Sequence, residues 1–138
     1  MTYFCPECWR EIGGDGICAH CGADLTKLAE SSYEEKLIRA LRHPEPTTPI
    51  RAATILGEIG SKAALKPLLE LVNSSRDPYI QEAAVVALGK IGDRRALPCL
   101  ERWRAEGSVR VRLAAEQAIR SIGQEKSENL SQTERCSK

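Results

Sequence analysis

Three segments of the chain share one spacing of small and apolar residues that keeps a single face of an α-helix apolar over three turns. The segments TPIRAATILGEIG, IQEAAVVALGKIG and VRLAAEQAIRSIG end at Gly60, Gly92 and Gly123. These glycines lie 32 and 31 positions apart, so the pattern is an internal repeat. A glycine at each end predicts that the helix stops there in a left-handed residue.

A second apolar stripe follows each of the first two glycines and predicts a second helix in each repeat. The stripe residues are Leu65, Leu68, Leu69 and Val72 in one repeat, and Leu97, Leu100 and Trp103 in the next. Ser61 and Asp93 are suitable N-caps for these helices. Upstream, Ser32 and Glu35 form a capping-box pattern, which predicts a helix that ends before Pro44. That helix aligns with the second helix of a repeat.

The period near 31 residues, the paired helices and the LGxIG ending resemble the phycobilisome-lyase-type HEAT-like repeats. The resemblance covers residues 33–123. It implies an all-α fold, a short right-handed α-solenoid of HEAT-like helix pairs in which each repeat contacts its neighbours. It also implies a concave face, formed by the second helices, that binds partners. The basic residues expected on or near that face, and hence the candidate partner-binding residues, are Lys62, Lys66, Arg94, Arg95 and Arg102.

Four of the six cysteines lie in two Cys-x-x-Cys pairs close to the N-terminus, Cys5 with Cys8 and Cys18 with Cys21. Two tight pairs of thiols are what one tetrahedral metal ion needs. The segment CPECWREIGGDGICAHCGADL resembles short zinc-ribbon modules, in which Trp9 stands where a glycine is usual. The resemblance implies a structural Zn²⁺ held by all four cysteines, with no open position for water.

Other uses of the four thiols stay open at this point. A rubredoxin-type iron site has the same ligands, although its spacer is normally much longer. A thioredoxin-like redox pair would need a βαβ context around the first pair, and none is visible. Disulfides would require a secreted protein, and no apolar signal segment follows Met1.

Composition bounds the remaining possibilities. The 138 residues carry a net charge of +1, and no stretch approaches 18 apolar residues, so no membrane span is expected. Six cysteines without a signal peptide predict a reducing compartment, most simply the cytoplasm. The tail is rich in Ser, Glu, Gln and Lys and is expected to be disordered. The predicted organisation is a zinc ribbon over 1–25, a linker over 26–32, the repeat array over 33–123 and the tail over 124–138.

The sequence shows no catalytic constellation. It has no His-Glu dipeptide for a di-iron site, no Ser-His-Asp set and no Gly-rich phosphate loop. We therefore expect a non-catalytic scaffold or adaptor that binds another protein. Two alternatives are a nucleic-acid-binding module, although the array holds only 15 Lys and Arg against 11 Asp and Glu, and a lyase-like accessory to a cofactor-bearing protein. Self-association through the exposed end of the array is a further expectation.

Overall fold

A computed structural model describes the backbone of residues 3–14 and 16–136, and the side chains of residues 4–14 and 16–124. The predicted all-α solenoid of helix pairs, preceded by a small four-cysteine module, is confirmed. In that module, strands β1 (Tyr3–Phe4) and β2 (Glu11–Ile12) pair antiparallel. The helices, in chain order, are α1 (Leu25–Ala29), α2 (Tyr33–Ala40), α3 (Thr47–Ile59), α4 (Leu65–Ser74), α5 (Pro78–Ile91), α6 (Leu97–Glu106) and α7 (Val109–Cys136).

The array is built from two layers of helices. The first helices of the repeats, α3, α5 and α7, pack side by side, and the second helices, α2, α4 and α6, each pack on the first helix that follows them. Between the layers lies one continuous core of Leu, Val, Ala and Ile side chains, including the fully buried Leu56, Leu68, Leu88 and Leu100. Within the described residues, no helix is both long and apolar enough to cross a membrane.

The glycines that end the repeated segments behave in two ways. Gly60 and Gly92 end α3 and α5 in the left-handed conformation, with φ of 72° and 73°, as predicted. Gly123 does not adopt a positive φ and stays inside α7, so no helix stop occurs there. Helix α7 continues past Gly123 to Cys136, through residues such as Glu, Gln and Lys that favour helix. Disorder of the tail over 124–138 stays a prediction. Residues 137–138 lie outside the described chain.

The predicted caps are largely present. Ser32 accepts the backbone N–H of Glu35 at 3.2 Å, and the Glu35 carboxylate accepts the N–H of Ser32 at 3.0 Å, which completes the capping box. Asp93 accepts the backbone N–H of Arg95 at 2.9 Å. The caps were expected to open α4 and α6 directly, but one turn of 3₁₀ helix precedes each of these helices.

Ser61 is the exception among the predicted caps. Its hydroxyl makes no bond to the following backbone but donates instead to the carboxylate of Glu34 on α2. Ser61 is buried, so this bond satisfies a polar group that would otherwise be costly inside the array. Ser61 therefore links its repeat to the preceding helix α2 instead of capping the helix that follows it.

Glycines inside the first helices set how closely these helices approach. A Cβ atom placed on Gly57 of α3 would lie 2.8 Å from the Cα of Ala87 on α5. The equivalent Gly89 of α5 meets α7 in the same way, with the Cα of Ala118 at 2.8 Å. We call these two contacts the glycine contacts. They show that neighbouring first helices touch backbone to backbone, which only small residues allow.

Candidate metal centre and basic surface

The two Cys-x-x-Cys pairs form turns with the same hydrogen bonds. In the first, the N–H of Cys5 donates to the carbonyl of Arg10 at 2.9 Å and the N–H of Trp9 to the carbonyl of Cys5 at 2.8 Å. In the second, Cys18 and Gly22 donate at the equivalent positions, again at 2.9 and 2.8 Å. The ribbon is thus two copies of one knuckle, and each copy directs its two thiols toward the other.

The four sulfur atoms lie together as one tetrahedral ion requires. The Sγ atoms of Cys5 and Cys21 are 3.7 Å apart, and those of Cys8 and Cys18 are 3.8 Å apart. All four lie within 4.8 Å of one another. Because a Zn–S bond is about 2.3 Å long, the edge of a zinc–thiolate tetrahedron is about 3.8 Å. The donor set and its spacing therefore fit a metal ion with four thiolate ligands.

The thiols also influence one another's ionisation. Hydrogen bonds from the backbone N–H groups of Cys21 and His20 lower the pKa of Cys18 to about 6. The N–H of Ala23 acts in the same direction on Cys21, but desolvation and hydrogen bonds to the other three thiols raise the pKa of Cys21 to about 12. One thiolate forms readily, while four adjacent thiolates need a cation to balance their charge.

Trp9 occupies a position in the first knuckle that favours glycine. Its φ is 59°, in the left-handed region, and the matching residue of the second knuckle, Gly22, has a φ of 74°. A bulky residue in this conformation is an outlier and costs about 1–3 kcal/mol. The Trp9 ring packs edge-on against His43, with ring centroids 4.3 Å apart. The strained residue thus makes one of the contacts between the ribbon and the array.

Glu7, between the two cysteines of the first knuckle, makes the second contact with the array. Its carboxylate lies 3.1 Å from Nη2 of Arg42 and 3.7 Å from Nε of Arg39. Arg39 in turn donates to Oγ of Ser31 at 2.8 Å. The ribbon is therefore docked on α2 and the residues just after it. Sequence reasoning missed this pairing, since Glu7 and Arg42 lie 35 positions apart and no motif links them.

Three of the predicted partner-binding residues have free charges. Lys62, Lys66 and Arg94 are exposed and form no ion pair with any residue in the described ranges. Arg95 is already paired, because its guanidinium lies 2.7 Å from the carboxylate of Asp93. Hydrogen bonds from Arg95, with a smaller contribution from the charge of Lys62, lower the pKa of Asp93 to about 2.

Arg102 is also used within the array. It donates to the side-chain oxygen of Asn73 at the end of α4, and its guanidinium carbon lies 5.5 Å from the ring centroid of Trp103. A weak ion pair with Glu106, at 4.0 Å, completes its surroundings. Among the described residues, the five candidates thus divide into three with unpaired charges, Lys62, Lys66 and Arg94, and two that are engaged. Arg95 pairs locally with Asp93, and Arg102 bridges α6 and α4.

The other end of the array carries an exposed apolar strip that the sequence did not single out by residue. Val109 and Leu113 of α7 are 65% and 58% exposed, and the neighbouring Val86 of α5 is 38% exposed. Arg110 lies beside this strip, 3.0 Å from the Glu82 carboxylate and 4.8 Å from the ring centroid of Tyr79. Self-association through this end remains a prediction.

The stacked helix pairs, with their left-handed glycines and shared core, define an α-solenoid of the HEAT type. In agreement, the family of HEAT repeats matches residues 34–120, and the chain belongs to that family.

Over 68 residues the chain is 41% identical to the phycocyanobilin lyase subunit alpha of Picosynechococcus sp.. The matched segment is 48% of this chain but only 25% of that relative. This similarity agrees with the phycobilisome-lyase-type repeats expected from the sequence.

Proposed function

We propose that the chain is a non-catalytic adaptor in which a zinc-bound ribbon and a short HEAT array together bind another protein. The observation that carries the metal part is the sulfur geometry, since distances of 3.7 and 3.8 Å match a zinc–thiolate tetrahedron. Cys5, Cys8, Cys18 and Cys21 would hold a structural Zn²⁺. For so small a module the ion supplies most of the folding energy, about 10–16 kcal/mol in comparable peptides.

Metal analysis of the purified protein tests this assignment. We expect one zinc and no iron per chain, and loss of the ion in Cys8→Ser. The matched control is Cys99→Ser, because Cys99 lies half-buried in α6, outside the thiol cluster, and should leave the zinc content unchanged. If the protein contained one equivalent of iron and no zinc, the centre would be a rubredoxin-like iron site. If it contained no metal, the metal assignment would be refuted.

The partner surface proposed here comprises Lys62, Lys66 and Arg94, with Arg95 and Arg102 at its edge. The support is that the first three are exposed and unpaired within the described residues. HEAT arrays use surfaces formed by consecutive repeats to hold other proteins. Because four adjacent thiolates require a reducing environment, we place the protein in the cytoplasm.

A capture experiment tests the surface. Tagged wild-type protein and a Lys62→Glu/Arg94→Glu variant are compared with Lys90→Glu, a charge reversal at an exposed site on α5 in the other layer. A partner that resists nuclease, rebinds in purified form and is lost only in the double variant would support the adaptor. Capture that disappears with nuclease, or that falls steeply with salt, would favour nucleic-acid binding instead.

A lyase-like accessory role is the second candidate, and the match to a phycocyanobilin lyase subunit favours it. Under this alternative, the array would hold a protein that carries a linear tetrapyrrole. Adding phycocyanobilin to the purified chain tests the idea by absorbance. A saturable spectral change at one equivalent would advance this role, and an unchanged spectrum would leave the adaptor as the proposal.

A further inference from the structure

A cavity of about 360 Å³ lies where the ribbon meets the array, and we call it the junction cavity. Its walls come from both modules and the segment between them: the ribbon strands supply Phe4 and Ile12, and α1 supplies Leu25 and Leu28. Helix α2 of the array supplies Lys36 and Arg39. The volume falls in the range of small-molecule sites, roughly 300–1,000 Å³. The lining is predominantly apolar, so the body of a complementary occupant is apolar too.

Among the described residues, the polar side chains that line the junction cavity are all hydrogen-bond donors. They are the Trp9 indole, the Lys36 ammonium and the Arg39 guanidinium. Nε1 of Trp9 has no hydrogen-bond partner among the described residues, but this atom is itself covered, so the carbon face of the Trp9 ring is what lines the cavity. Trp103 has a similar unpaired Nε1, but it does not line this cavity.

Two cationic side chains, Lys36 and Arg39, line the junction cavity. Lys36 is exposed and makes no ion pair in the part of the chain that the structure describes. Arg39 is only partly neutralised, because Oε2 of Glu7 lies 3.7 Å from its Nε and the other oxygen of the same carboxylate, Oε1, pairs with Arg42 at 3.1 Å. Since no side-chain acceptor lines the cavity among the residues whose side chains are described, the occupant has to bring the acceptor, and an anionic oxygen suits two cations best.

We propose that the junction cavity binds a small hydrophobic carboxylic acid. Its apolar body would fill the space between Phe4, Ile12 and the leucines of α1. Its carboxylate would face Lys36 and Arg39, and the ring of Trp9 would lie against its apolar body. Ribbon and array would then share one ligand, which neither could hold alone.

The probe is decanoate, used below its micelle concentration with the full-length, metal-loaded protein. Isothermal titration measures affinity, and the indole N–H resonances of Trp9 and Trp103 report the location, with Trp103→Phe as the assignment variant. We expect decanoate to shift the Trp9 resonance only. Decanol, which has the same chain without the charge, should bind at least tenfold more weakly.

Two variants place the ligand. Lys36→Gln should weaken decanoate binding at least fivefold, whereas the control Lys66→Gln, an exposed lysine on α4, should leave it unchanged. Ala29→Phe, which fills the cavity from α1, should abolish binding. Equal affinity for decanol and decanoate, an unmoved Trp9 resonance, or undiminished binding by Ala29→Phe would each overturn the proposal.

Discussion

The glycine contacts yield a prediction whose sign runs against intrinsic helix preference. Alanine is favoured over glycine within a helix by about 1 kcal/mol, so Gly89→Ala should stabilise α5 if only local preference mattered. The new Cβ, however, would lie 2.8 Å from the Cα of Ala118, nearly 1 Å inside an ordinary carbon–carbon contact of about 3.5–4.0 Å. Because the obstacle is backbone, no side chain can rotate away, and α5 and α7 must separate.

The net effect follows from these two opposing terms. Overpacking a close contact costs about 1–3 kcal/mol, and the upper half of that range applies here because the clash is with backbone. After subtraction of the helix preference, we expect Gly89→Ala to destabilise the array by about 1–2 kcal/mol, which lowers Tm by roughly 4–10 °C. Gly57→Ala should behave alike, because its Cβ would meet Ala87 at the same distance.

Gly123→Ala is the matched control. Gly123 also lies inside a helix, but a Cβ placed there has no neighbour within 4 Å. This change should therefore stabilise the protein by about 0.5–1 kcal/mol. Thermal and urea unfolding followed by circular dichroism at the helix band measure all three variants. If Gly89→Ala proved as stable as Gly123→Ala, the backbone contact between α5 and α7 would be refuted.

Three further predictions concern the metal, the core and pH. Cys8→Ser, or removal of metal by a chelator, should release the ribbon from α2, seen as increased cleavage by a protease near residues 24–31 and a red shift of Trp9 fluorescence. Leu88→Asp buries a charge in a fully enclosed position, and we expect it to abolish the helical circular dichroism of the array. The pKa of Asp93 is lowered from 3.8 to about 2, so the carboxylate's contribution to stability should be present above about pH 4 and lost as pH falls toward 2. Wild-type protein should therefore lose its advantage over Asp93→Asn in that window, and an advantage that is constant with pH would contradict the pairing with Arg95.

The repeat architecture was predictable because its cause is periodic. Apolar spacing and two of the three terminal glycines determine where α3 and α5 run and end, and both signals lie in adjacent residues. Gly123 shows the limit of that reasoning. Glycine ends a helix only where the chain after it turns away. Gly123 is followed by a segment that favours helix, and it therefore keeps a right-handed backbone.

The thiol cluster could also be predicted from the sequence, because the spacing of the ligands is a property of neighbouring residues. The docking of the ribbon could not be predicted in the same way, because Glu7 and Trp9 meet partners more than 30 positions away and the knuckle motif in which they lie does not specify those partners. The basic surface was predicted in outline only. Composition reveals the charges, but only coordinates show that Arg95 and Arg102 are engaged by Asp93 and Asn73.

The glycine contacts also bear on whether another repeat could pack on α7. In the third repeat, the residue equivalent to Gly57 and Gly89 is Arg120, whose guanidinium lies 2.6 Å from the Glu116 carboxylate on the same helix. An incoming first helix could not approach α7 there as α7 approaches α5. A second copy that covered the apolar strip at Val109 and Leu113 would have to pack on α7 in a different way from that in which α7 packs on α5. The Arg120 side chain thus blocks close packing of a further first helix on α7. Arg120→Gly is therefore the first change to make in order to add a repeat.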